Sequence, residues 1–428
     1  MSDKTPSYIA VADLRIGHYV YLDVGWMHHP FTFSSFKISS DDEIATLRSL
    51  GVAKFRYDPS RSDVKPDNTP KKPEVTKTPA PSSQPTSDNS AALKEKQERI
   101  SLAQRFRAKL IAVEKEYSKA GAIVRDIVKN LFSSPVQASA SANKLVTEIA
   151  DALAPKEDVA VYLMSDHSAT GEEVYFHSLN VATLAMMVAR SMQFDAAKIH
   201  TVGMGGLFHD IGKAEIPDKI LLKTEPLNSH EEALFRQHTA LGVKAANHLK
   251  LSEEIKDIIA QHHECIDGYG YPVGLRGNQI SIGARIVSVV NAYDSLCNPH
   301  DPTSAVIPYK ALSTMFAKQK DRFDTDVLMT LIRLLGVYPP GTIVKLSNDM
   351  VGMVIGVNTS NPLRPQILVY DEGISHEESI TLDLQREKDI NISSAINPAQ
   401  LSKGAIEYLN PRKRVKYYVD TSSSALNS

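Results

Sequence analysis

From about Tyr8 to Asp58 apolar and polar residues alternate in short runs (YIAV, HYVYLDV, FTFSSFKI). The run DDEIATLRSLG breaks this alternation with helical spacing, and VAKFRYD returns to it. Period-two runs around one amphipathic turn predict a small α+β module over residues 1–62, with Ser40 or Asp41 capping its helix and Gly51 closing it. Between Lys65 and Ser90 large apolar side chains nearly vanish in favour of Pro, Ser and Thr. Such a stretch buries too little surface to offset its ordering entropy, which predicts a disordered linker over 63–92. Apolar residues then recur at helical spacing (Ile100, Leu102, Phe106, Leu110, Val113, Tyr117), and helical patterns continue to about Leu335. The expectation is a helical domain over 93–335. Its leading helix, 93–132, offers an apolar face that suits docking on its own core or pairing with a twin as a homodimer. Past Leu335, VYPPGTIVKLSNDMVGMVIGVN and PQILVYD read as strands joined by turns, predicting a β appendage over 336–386 and a polar tail over 387–428. The fold class is therefore mainly α, with a small module at each end.

Charge narrows the function. Lys and Arg number 48 against 50 Asp and Glu, a formal net charge of −2. No global basic field would hold the chain on nucleic acid or anionic lipid. The basic patch at Arg412, Lys413, Arg414 and Lys416 reads as a solvated face. Two cysteines, Cys265 and Cys297, cannot form a disulfide framework, which suits a reducing compartment. No secretory leader pattern opens the chain and no apolar run approaches the ~20 residues of a membrane helix, so the expected location is the cytoplasm.

Histidines carry the chemistry. Glu173 and His177 lie four apart in a helical context and share a face. His209 and Asp210 adjoin in LFHDIGK, His238 lies in FRQHTALG, and His262 and His263 lie in IIAQHHE. Each histidine taken singly is more often a hydrogen-bonded structural residue than a ligand. Together, HD, HH and ExxxH pairs within one helical core are costly to bury unless a metal neutralises them, which points to a polynuclear site. His28 and His29 beside Trp26 have no further ligands nearby and read as a turn or packing cluster.

The order ExxxH, HDIGK, a lone His, then HHE followed by DGYGYP resembles the HD-GYP family of cyclic dinucleotide phosphodiesterases. HDIGKAEIP at 209–217 and HHECIDGYGYPVGLRG at 262–277 are its sharpest stretches. The N-terminal LRIGHYVYLD and the segment YPPGTIVKLS also look like the flanking modules of one branch, whose N-terminal domain has no known function (DUF3391-like). The resemblance implies a helical HD-type metal-dependent phosphohydrolase domain. Its metal ligands would be Glu173, His177, His209, Asp210, His238, His262 and His263, holding two or three ions, iron or manganese first. Asp210 suits a bridging role, because a carboxylate offers two oxygens where an imidazole offers one nitrogen. Water shared by two such ions loses a proton near neutrality and attacks the phosphodiester. Lys213 would hold a phosphate or assist the leaving oxygen. The loop Gly268, Gly270, Tyr271 and Pro272 would line the substrate groove or contact a protein partner, and a rigid glycine turn explains Gly268 and Gly270 locally.

Two departures from the family pattern stand out. Asn291 occupies the position where an Asp usually completes the site; its amide oxygen coordinates without charge, and Asp294 lies three residues on. The stretch Ile307-Pro308-Tyr309-Lys310 keeps Lys310 as a phosphate contact but lacks the preceding arginine, which leaves Arg276 or Arg285 to supply a guanidinium. The implied reaction is hydrolysis of cyclic di-GMP to pGpG or GMP. The alternatives are a weakly active cyclic dinucleotide sensor or docking protein, and a phosphodiesterase for cyclic GMP-AMP.

Overall fold

The structure, a computed structural model, describes residues 7–24, 29–31, 33–64, 87–153, 160–163, 173–299, 301, 304–358, 361–374, 379–409 and 417–419. Most of the expected linker, Trp26, His28 and the basic patch at 412–416 lie outside them.

The N-terminal module forms as the alternation predicts. Strands β1 (Ser7–Ala10), β2 (Tyr19–Tyr21) and β3 (Ser35–Lys37) join β4 (Lys54–Tyr57) in an antiparallel sheet of order β1-β4-β2-β3, with helix α1 (Asp41–Ser49) between β3 and β4. Ser40 is the N-cap, its Oγ accepting from Glu43 N at 3.2 Å, while Glu43 returns a bond from Ser39 N at 2.6 Å. Ile44 and Leu47 of α1 close over Ile9, Val20 and Phe55 of the sheet. His29 is buried, with its ring centroid 6.0 Å from that of Phe31, as a packing residue.

Helix α2 (Ser87–Lys129) begins inside the stretch expected as linker. Its first turns, SDNSAALKEKQER, hold good helix formers behind a polar start, and these outweigh the low apolar content. Its apolar face docks on its own chain: Val113, Tyr117, Ala120, Val124 and Ile127 are buried in the main core. Helix α3 (Pro135–Ala152) packs beside it, and strand β5 (Ala160–Leu163) follows. Next come α4 (Glu173–Ser191), α5 (Ala196–Phe208), α6 (Asp218–Leu221), α7 (Ser229–Arg236), α8 (His238–His248), α9 (Glu253–Gln261), α10 (Ile282–Cys297), α11 (Pro308–Lys318) and α12 (Thr325–Leu335). Helix α4 is apolar on nearly every side and forms the axis, with α2, α5, α10 and α12 around it. Between α5 and α6, residues Ile211–Glu215 make a tight 3-10 turn against α8. Gly212 permits this contact, since a Cβ there would lie 2.0 Å from His238 O. The HD pair and His238 are thereby pressed together.

The C-terminal β unit is larger than the expected 336–386. Strands β6 (Ile343–Leu346), β7 (Val351–Asn358), β8 (Gln366–Tyr370) and β9 (Ile380–Asp383) lie within that range. The expected tail, however, supplies β10 (Ile392–Ala395) on β6, helix α13 (Lys403–Leu409) against β8, and β11 (Tyr417–Val419) on β5. Strand β5 in turn pairs with β7, Ala160 opposite Asn358. Runs of three or four residues such as AVYL and YYV are too short to show a period, and their partners lie far along the chain. The N-terminal module docks on this unit: Asp371 Oδ2 accepts from Ser34 N at 2.8 Å, and Arg61 Nη2 donates to Asp349 O at 3.2 Å. Helix α2 also reaches it, with Ile100 packed on its core.

Candidate metal centre

Three of the histidines are held by one local device. His209 ends α5, His262 ends α9, and His238 starts α8 just after α7. In each, Nδ1 donates to the carbonyl three residues earlier: Gly206 O at 2.8 Å, Ile259 O at 2.8 Å and Phe235 O at 2.6 Å. With the proton fixed on Nδ1, the lone pair of Nε2 faces inward. His177 on α4 is set by a side chain instead, its Nδ1 lying 2.6 Å from Asp294 Oδ2.

The four Nε2 atoms converge on one carboxylate. Asp210 Oδ2 lies 3.3 Å from His209 Nε2 and 3.7 Å from His177 Nε2. Oδ1 lies 3.5 Å from His238 Nε2 and 3.6 Å from His262 Nε2. Asp210, His238, His262 and His263 thus form one group of potential ligands, and His177, His209 and Asp210 form another, with ligand atoms in each within 4.8 Å. Asp210 belongs to both. His209 Nε2, Asp210 Oδ1 and His263 Nε2 are buried with no hydrogen-bond partner among the described residues, which leaves donor atoms for cations to take up. Burial lowers the basicity of His209 and His262, holds His263 well down and brings His238 to about 4, so these rings are neutral at pH 7 and available to a metal. Burial alone would raise the Asp210 carboxyl, but the electrostatic pull of the adjoining His209 ring and the Lys213 ammonium, with hydrogen bonding from His209 and His262, outweighs it and holds the group well below the usual range. The residues present fit a pair of divalent ions sharing Asp210. Lys213 Nζ donates to Asp210 Oδ2 at 2.5 Å.

The remaining expected site residues divide. Glu173 opens α4, but its side chain lies outside the described residues. Asn291 is buried, accepts from Ser295 Oγ at 3.2 Å and lines a cavity of about 490 Å³ with His262, His263, Tyr271, Arg236 and Arg322. Gly270 approaches the HHE backbone so closely that a Cβ would lie 2.4 Å from Cys265 N, and Gly268 has φ +82°. Tyr271 stacks on His263, centroids 4.6 Å apart, with the Arg236 guanidinium 4.8 Å from the centre of its ring. Pro272 follows in the same loop. Lys310 is exposed in the first turn of α11, outside the residues that line the cavity. Arg285 donates to Asp324 Oδ2 at 2.8 Å, and Arg276 packs against Gly268, so neither lines the cavity.

Spacing alone assigns no role to two positioning residues. Glu264, third in HHE, is buried and accepts from Val273 N at 2.7 Å, Gly274 N at 3.1 Å and Leu275 N at 3.0 Å. It clamps the glycine loop to the end of α9. Glu264→Gln turns one acceptor into a donor facing those amides. We expect a loss of about 2 kcal/mol of unfolding free energy and faster hydrogen exchange at residues 273–275, read by denaturant titration and amide exchange. Asn180 on α4 is the second, donating from Nδ2 to Asp294 Oδ1 at 2.9 Å and accepting from Tyr117 at 2.7 Å.

A helical bundle that turns four imidazoles, three of them at helix ends, toward one shared aspartate has the donor set of a metal-dependent hydrolase of the HD type. Family models bear this out. The HD domain matches residues 127–327, the Domain of unknown function (DUF3391) matches 8–142, and the KOW domain associated with HD domain matches 343–404. The chain thus carries an HD domain, preceded by the DUF3391 domain and followed by the KOW domain associated with HD domain. A cyclic di-GMP phosphodiesterase of Pseudomonas aeruginosa is 28% identical over 365 residues, covering 85% of this chain and 84% of that protein. PdeB of Borreliella burgdorferi, also a cyclic di-GMP phosphodiesterase, is 28% identical over 45% of this chain and 50% of its own length. The 3'3'-cGAMP-specific phosphodiesterase 2 of Vibrio cholerae is 34% identical over 30% of this chain and 25% of its own. Among the described residues no helix is long and apolar enough to cross a membrane.

Proposed function

We propose that the chain is a metal-dependent phosphodiesterase that hydrolyses cyclic di-GMP. The observation that carries this reading is the division of Asp210, one oxygen facing His177 and His209 and the other facing His238 and His262. Divalent ions held by those two sets supply Lewis acidity toward a phosphodiester and toward water. Iron or manganese suits the mixed imidazole and carboxylate donors, with Glu173 as a further carboxylate ligand. Lys213 stands where its ammonium meets a phosphoryl oxygen, and Tyr271 and Asn291 wall the adjoining cavity. Tyr269 and Val273, 83% and 74% exposed on the same loop, present an apolar face to a protein partner. Two buried free thiols and a near-neutral charge support a cytoplasmic location.

The test is anaerobic purification followed by metal analysis and product analysis with cyclic di-GMP. Two or more ions per chain, formation of pGpG or GMP, and loss of turnover on chelation with recovery on adding iron or manganese are expected. Metal-poor protein that binds the dinucleotide without opening it would favour the sensor reading instead. Faster turnover of cyclic GMP-AMP would reassign the substrate.

A further inference from the structure

We infer that Arg322 is the guanidinium that grips the second phosphodiester of a cyclic dinucleotide whose first phosphodiester lies at the His/Asp cluster, an inference that rests on the phosphodiesterase reading above. A cyclic dinucleotide carries two phosphodiesters in one ring, each bearing a full negative charge. A site that meets only one of them must desolvate the other without a partner, which is costly. The cavity beside the cluster has His262 and His263 in its wall, and its permanently charged basic residues are Arg236 and Arg322. These two are committed differently. Arg236 donates to Glu232 Oε1 from Nε at 3.1 Å and from Nη2 at 2.5 Å, and its guanidinium lies over Tyr271.

Arg322 has no carboxylate partner among the described residues. Its guanidinium makes one side-chain contact there, Nη2 to Cys265 Sγ at 3.4 Å, and a thiol is a weak acceptor. Its backbone, by contrast, is pinned at the site: Arg322 O accepts from Ile266 N at 3.0 Å, and Arg322 N donates to Gln319 O at 3.0 Å. The side chain therefore starts from a fixed point beside the HHE segment and carries an uncommitted planar fork into the cavity. That fork matches two oxygens of one phosphate. Ser295 and Gln319 line the same cavity with neutral donors. Arg322 thus takes the place that the sequence left open to Arg276 or Arg285.

The experiment compares Arg322→Ala and Arg322→Lys with the unaltered chain on two substrates. Cyclic di-GMP has two phosphodiesters, whereas bis(p-nitrophenyl) phosphate has one and needs only the metal cluster. For Arg322→Ala we expect KM for cyclic di-GMP to rise about tenfold or more while kcat stays within about twofold, with kcat/KM for the simple ester unchanged. Arg322→Lys should recover part of the loss. Chelated protein titrated with cyclic di-GMP in a calorimeter should show the same weakening of Kd. Arg322 is exposed, so its removal should leave Tm unchanged. Equal losses on both substrates, or no change in KM and Kd, would overturn the assignment. Failure of the unaltered chain to hydrolyse either substrate would sink the phosphodiesterase reading, and the calorimetric comparison would still decide whether Arg322 binds the dinucleotide.

Discussion

Asp210→Ala is expected to cut phosphodiester hydrolysis at least about a thousandfold and to lower bound metal by one ion or more per chain. Several kcal/mol of transition-state charge stabilisation rests on the ions, and each tenfold in rate is about 1.4 kcal/mol. The loss exceeds that for any single histidine, because Asp210 is the one residue common to both ligand groups. The fold should survive: the variant removes a buried charge, and Lys213, its ammonium partner, keeps 27% of its side chain in solvent. Metal analysis and steady-state kinetics, with circular dichroism to confirm folding, read all three effects. Full metal content in the variant would show that the two groups do not share this carboxylate.

Asp294→Ala should be the most damaging substitution outside the ligand groups. Asp294 is fully buried and takes bonds from His177 Nδ1 at 2.6 Å, Asn180 Nδ2 at 2.9 Å and Asn298 Nδ2 at 2.8 Å. Truncation leaves three buried polar groups unmatched, at a cost of about 3 kcal/mol or more, and frees the His177 ring to turn. Metal affinity at the His177 end should fall about 10- to 100-fold. Denaturant unfolding of chelated protein isolates the first effect, and a metal titration isolates the second. Asp294→Asn keeps the shape and should recover stability better than metal affinity, because an amide no longer offers a charge to His177. An unaltered titration in Asp294→Ala would mean that the hydrogen bond does not orient the ligand.

The parts of the site that spacing encodes were legible in the sequence. His209 next to Asp210, His262 next to His263, and Glu173 four before His177 are adjacent or helix-spaced pairs in one apolar, helical stretch, and that pattern is what pointed to a shared site. The alternation near the N-terminus likewise located the four-stranded module. What long-range packing decides was not legible. Asp294 read as a neighbour of Asn291 on α10, yet one helical turn places it against His177 on α4, which spacing along either helix does not reveal. Arg322 lies in a stretch with no site signature and reaches the cavity only because the segment before α12 bonds to Ile266. Lys310 matched a motif but stands on the exposed side of α11. Strands β5 and β11 were missed for the same reason, since each finds its partner across more than a hundred residues of chain.

Helix α2 runs 43 residues, about 65 Å at ~1.5 Å per residue. Toward one end it lies against the β unit on which the N-terminal module is seated; toward the other its Tyr117 hydroxyl donates to Asn180, Asn180 to Asp294, and Asp294 holds His177. The molecule is thus geared, with a stiff rod meshing with the metal-binding face through three successive polar teeth. A slip of the rod by a single residue's rise, about 1.5 Å, exceeds the tolerance of any of those hydrogen bonds. A shift of the rod along its axis would therefore reach the imidazole as a change of aim rather than a change of charge.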